Sequence, residues 1–118
     1  MTSFTIKRIY EPATDTDGYR VLVDRLWPRG VSKDRATLDE WAKEISPSNE
    51  LRKWFKHDSE KFQEFSQKYL TEVEENPKFT EIVSNWDKHD KVTLLYGAKD
   101  EKHNEAIVLQ GIFRRPVT

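Results

Sequence analysis

YRVLVDRLWPRGVSK, residues 19–33, changes character partway along. Its first part, RVLVDRL at residues 20–26, is almost continuously apolar up to Asp24, the pattern of a strand buried on both faces of a sheet. Directly behind it come Arg25, Trp27, Pro28, Arg29, Gly30 and Lys33. A buried strand that ends in cations and an indole predicts an interior strand of an α/β sheet that delivers those groups to a site. In open α/β sheets, ligands bind beyond the carboxyl ends of the strands.

Working outward, KVTLLYG at residues 91–97 is a second short apolar run bounded by charge and glycine, and reads as another interior strand. FTIKRI at residues 4–9 alternates apolar and polar positions, as a half-buried strand does. The intervening YEPATDTDGY carries Pro and Asp-Gly turn signals and is shorter than the dozen or so residues of a parallel crossover, so by itself it favours an antiparallel hairpin. TLDEWAKEIS, residues 37–46, is ambiguous between strand and short helix; we read it as a strand that stops before Pro47.

Three helices are expected next. Ser46 caps the first, with Pro47 in its first turn, Leu51, Trp54 and Phe55 as the apolar stripe, and an end near Lys56 and His57. Asp58 or Ser59 caps the second, in which Phe62, Phe65, Tyr69 and Val73 recur at helical steps. Asn76 and Pro77 open the third, carrying Phe79, Ile82, Val83 and Trp86. After the polar loop AKDEKHN, residues 105–113 read EAIVLQGIF, a helix apolar on most sides and fit to pack on a sheet. WFKHD and WDKHD share a pattern, but a helix follows one and a strand the other, which argues against a structural repeat.

A chain of 118 residues suits one α/β domain spanning 1–118. The absence of cysteine excludes disulfides, thiolate metal sites and cysteine nucleophiles, and suits a reducing compartment. No basic segment followed by an apolar run opens the chain, and no window approaches the roughly 18 apolar residues of a membrane span, so a cytoplasmic location is expected. Charged residues are 35% of the total, yet 20 Lys and Arg against 21 Asp and Glu leave a net charge of -1. The whole molecule therefore has no field to gather nucleic acid or anionic membrane, and any preference is local. Four Trp, four Tyr and six Phe supply core area where aliphatic content is thin.

If the two interior strands are parallel neighbours, Arg25, Trp27, Arg29 and Lys33 share a sheet edge with Lys99, His103 and Asn104, beside a helix N-terminus that favours anions. The purely structural alternative is that Trp27 packs, Pro28 and Gly30 shape a turn, the cations are solvated or paired with Asp24, Asp34 or Asp39, and Asp100 caps the last helix. His57 and His89 sit near helix C-termini, where a cation meets the dipole favourably. Three scattered histidines give no metal pattern, and four isolated glycines give neither a dinucleotide fingerprint nor a P-loop, so neither metal nor cofactor is expected.

RVLVDRLWPRGVSK, ISPSNELRKWFKHD and VTLLYGAKDEKHNEAIVL together closely resemble the YeaO-like family of small uncharacterised bacterial proteins, across nearly the whole chain. The resemblance implies an α/β three-layer sandwich with a small, mostly parallel sheet flanked by helices, and no established substrate. Larger relatives look like proteins with a full helix between the first two strands. That implies parallel strands here, with the crossover reduced to a loop, and overrides the hairpin reading. Those relatives tend to carry a Cys-His-Arg run where this chain has Asn104, Glu105 and Ala106, a departure that removes any thiol nucleophile. A methyltransferase label for porphyrin substrates, found on some family members, is not supported by a short chain without a glycine-rich loop.

The leading expectation is a domain that binds an anionic small molecule, a nucleotide or sugar phosphate, at the carboxyl edge of the sheet. Arg25 and Arg29 clamp the anion, Trp27 offers a stacking face, and Lys33, Lys99 and Asn104 complete the pocket. If a reaction occurs, His57 and His103 are the acid/base candidates. The competing class is a protein-interaction module built on Trp27, Arg25 and Arg29. Single-stranded nucleic acid, through interleaved aromatic and basic side chains, is the weaker alternative.

Overall fold

In the computed structural model, which describes residues 2–113, four strands form one wholly parallel sheet: β1 (Ser3–Arg8), β2 (Tyr19–Leu22), β3 (Glu40–Trp41) and β4 (Lys91–Tyr96). Their spatial order is β1-β4-β2-β3. Both apolar runs lie inside the sheet: Val21, Leu22, Val92, Leu94 and Leu95 are each 0% exposed. Val21 faces Leu94 and Leu22 faces Leu95 across the ladder, while Phe4 pairs with Val92 on the other side of β4.

The last strand of the chain is thus inserted between the first two, and β1 and β2 never pair. That rules out the hairpin. Residues 9–18 instead run back along the sheet and step over β4. Fully extended they reach roughly 33–36 Å, enough for the ~20 Å of a six-residue strand plus two inter-strand steps of ~4.8 Å. Entry into β2 depends on Gly18, with φ +68°, because a Cβ there would lie 2.5 Å from the Lys91 carbonyl oxygen.

The two faces are unequally covered. Helices α2 (Asn49–Phe55), α3 (Phe62–Glu75), α4 (Phe79–Trp86) and α5 (Glu105–Phe113) accompany one face, whose core joins Phe4, Val21, Leu94, Phe65, Tyr69, Trp86 and Leu109. The other is covered by the single turn α1 (Lys33–Ala36) and the loop before it, through Ile9, Leu22, Val31, Ala36 and Leu95. The result is an α/β sandwich with one thick and one thin layer. Where the thin layer ends, polar groups replace apolar cover. Arg20, 4% exposed, donates to Asp17 and to the carbonyls of Ala36 and Thr37, and Lys7 Nζ lies 3.1 Å from Asp17. Burial works to raise the Asp17 carboxyl, but hydrogen bonds from Thr14, Lys7 and Arg20 outweigh it and hold the pKa at about 2.

Local differences from the sequence reading have specific causes. Ser46 does not cap α2, because its hydroxyl donates to the Ala42 carbonyl at 2.9 Å; Ser48 accepts from Leu51 N instead, leaving Pro47 outside the helix. Only Glu40–Trp41 of the ambiguous segment is strand, and a 3-10 turn over Lys43–Ile45 follows. Asn76 accepts from Lys78 N, and the regular turns of α4 begin at Phe79. Among the described residues, no helix is long and apolar enough to cross a membrane.

Candidate functional site

β2 leads toward α1 on the thin face, whereas its neighbour β4 leads into α5 on the thick face. Such a divergence opens a crevice between the carboxyl ends of the two strands. A cleft of about 260 Å³ lies there. Its walls come from the loop at residues 24–29, from Gly97 and Ala98 after β4, from His103 to Glu105 at the start of α5, and from Arg52, Phe55, His57 and Phe65.

Of the sequence candidates, Arg25, Trp27, Arg29, Asn104, His57 and His103 border this one cleft. Lys33 and Lys99 do not: Lys33 begins α1, and both are exposed. Arg25 donates from Nε to the Pro47 carbonyl at 2.7 Å and from Nη2 to the Ser46 carbonyl at 2.9 Å. Backbone carbonyls therefore orient it, not Asp24, Asp34 or Asp39, the carboxylates the sequence offered. A guanidinium has five N–H donors, so three remain beyond those two bonds. Trp27 donates to the Val31 carbonyl at 2.6 Å and meets Trp41 edge-on, ring centroids 5.3 Å apart, as a pillar of the loop. Arg29 is exposed, and its carbonyl is tied down by the Tyr10 hydroxyl at 2.9 Å.

Asn104 is 1% exposed and acts locally: its Oδ1 accepts from Ile107 N, and its Nδ2 donates to the Asp100 carbonyl, both at 3.0 Å. It caps α5. His103 Nδ1 lies 2.9 Å from Asp100 Oδ2, and its ring meets Phe62 edge-on. His57 follows Lys56 in left-handed backbone, φ 57° after φ 49°, an uncommon pair for non-glycine residues and one that places His57 beyond the end of α2. His89 stacks on Tyr19 and does not border the cleft.

The sequence reading missed a pair of carboxyls. Asp24 Oδ2 accepts from Gly97 N at 2.9 Å. A Cβ on Gly97 would fall 2.9 Å from that same oxygen and 3.5 Å from Pro28, so the contact requires glycine. Glu105, the first residue of α5, borders the same cleft as Asp24. It is half-buried there. That burial, and then the charge of Asp24, push the Glu105 carboxyl well above its ordinary range, against the opposing pull of Arg52. Arg25, Arg29 and Arg52 line the same cleft as the two carboxyls. Among the described residues, no group of three or more His, Asp or Glu side chains is placed to hold a metal ion.

Over residues 3–117 the chain matches the family model described as the inactive DUF488-N3 subclade, and it belongs to that family. It is similar to the uncharacterised protein YeaO of Escherichia coli K12, 47% identical over 103 residues that cover 87% of this chain and 90% of that one. It is also similar to the uncharacterised protein Rv3073c of Mycobacterium tuberculosis H37Rv, 41% identical over 81 residues, 69% of each chain. The YeaO-like resemblance is thus borne out. No solved structure matches the chain.

Proposed function

We propose that the cleft binds an anionic small molecule, a nucleotide or sugar phosphate, with Arg25 and Arg29 as principal contacts. The observation that supports this most is the lining: three guanidiniums, those of Arg25, Arg29 and Arg52, border one cleft together with the carboxyls of Asp24 and Glu105. Arginine's planar fork suits phosphate and carboxylate oxygens, and a low-dielectric wall strengthens the contact. The family's description as inactive favours retention of a ligand over its turnover. Should a reaction occur, the acid/base candidates are His103, which contacts Asp100, and His57, both at the border of the cleft. A cysteine-free chain in a reducing cytoplasm, where such metabolites are found, is consistent with this role.

A thermal-shift panel of nucleotides, sugar phosphates and carboxylates tests the reading. Stabilisation by a phosphate compound in wild type, lost in Arg29→Ala, supports it; a flat response across the panel refutes it. A second reading rests on Leu26 and Trp41, 54% and 37% exposed, Leu26 at the mouth of the cleft and Trp41 against Trp27. They would dock a protein partner alongside Arg25 and Arg29. Co-purification of one protein, lost in Leu26→Ser but indifferent to small anions, would favour that alternative.

A further inference from the structure

The cleft is chemically graded. Arg29 is exposed, whereas Phe55 and Phe65, 6% and 2% exposed, form the apolar part of the lining together with the Asp24 and Glu105 carboxyls. The two rings stack on each other with centroids 4.2 Å apart, so no slot between them admits a flat base. At about 260 Å³ the cleft also falls just below the roughly 300–1,000 Å³ of pockets for drug-sized ligands. Both facts point away from a whole nucleotide and toward something smaller.

The Asp24 and Glu105 carboxyl oxygens that line the cleft are hydrogen-bond acceptors, and alcohol groups supply the O–H donors they need. Negative charge on these carboxyls repels a second anion, so the ligand's charge belongs near the arginines and its inner end is neutral and polar. Phe55 and Phe65 then face the C–H surface of that end. Resting on the anion-binding reading, we propose that Asp24 and Glu105 form a hydroxyl-binding subsite and that the ligand is a monosaccharide phosphate, its phosphate at Arg29 and Arg25 and its ring hydroxyls on the carboxyl pair. Gly97 belongs to the same device, since its N–H fixes one oxygen of Asp24 and leaves the others to the ligand.

Isothermal titration separates the two claims, with inorganic phosphate, phenyl phosphate, ribose 5-phosphate and glucose 6-phosphate as probes on wild type, Glu105→Leu and Asp24→Asn. The expected result is that at least one sugar phosphate binds wild type about tenfold or more tightly than phenyl phosphate. That preference collapses toward parity in Glu105→Leu, which keeps the bulk and removes both oxygens, while phenyl phosphate binding does not fall. If phenyl phosphate binds wild type as tightly as both sugar phosphates, the anion site stands and the hydroxyl subsite is overturned. A sugar preference that survives in both variants overturns it as well. If no phosphate compound binds wild type, the anion-binding reading fails and this proposal with it. Because the comparison within wild type is decisive by itself, a variant that fails to fold does not remove the test.

Discussion

A methyl group at Gly97 would sit 2.9 Å from Asp24 Oδ2, inside contact distance of an oxygen already held by the Gly97 N–H, with buried Pro28 behind it. Gly97→Ala should therefore destabilise the protein by about 1–3 kcal/mol, the usual cost of overpacking, and urea unfolding would show it as a lower midpoint. Glu105 gives a prediction in pH. Its folded pKa lies above the unfolded 4.5, so its contribution is fully present below about 4.5 and is lost as pH rises through the folded value. Glu105→Gln carries no such penalty, and its stability relative to wild type should grow between pH 4.5 and 8 in urea melts; a constant difference would mean that Glu105 ionises freely. Asp17 acts oppositely and outside this window: its stabilisation is present above 3.8 and lost as pH falls through about 2. Arg25, Arg29 and the two histidines were legible because they follow strand ends or helix ends. Glu105 was not, since a glutamate in the first turn of a helix is explained by the dipole alone. Its pairing with Asp24 appears only once β2 and β4 are neighbours.

At the level of elements, the aromatic stripes carry stability unequally. Trp86 is 0% exposed and donates from Nε1 to the Glu40 carboxylate at 3.2 Å, tying α4 to β3. Trp86→Ala should cost about 3–5 kcal/mol by denaturant unfolding. Phe65→Ala belongs in the same range, at 2% exposed, whereas Phe62→Ala should cost clearly less, because Phe62 is only half-buried beside His103. Helical spacing places both rings on one stripe and says nothing of where that stripe runs off the sheet. This is why the four long helices were readable, α5 to the residue, while the depth of each position was not. The crossover from β1 to β2 was hidden for a different reason. Its ten residues look like a hairpin until a strand some 70 residues later in the chain is inserted between its ends.

Over the whole molecule, a parallel sheet with one thick and one thin layer leaves its opening where the layers part, at the carboxyl ends of β2 and β4. The cations that follow Asp24 are carried to that opening by the course of the backbone, whatever ligand they meet. Contact with an anion there should weaken as salt rises from 50 to 500 mM, because exposed Arg29 is screened within about a Debye length. The most direct test is an amide ¹H–¹⁵N titration with ribose 5-phosphate. Saturable shifts are expected only at Arg25, Arg29, Gly97, His103 and Glu105, with Asp17, Arg20 and Thr93 at the other end of the sheet unmoved. Shifts at those latter residues instead, or none at any of the former, would contradict the anion-binding reading.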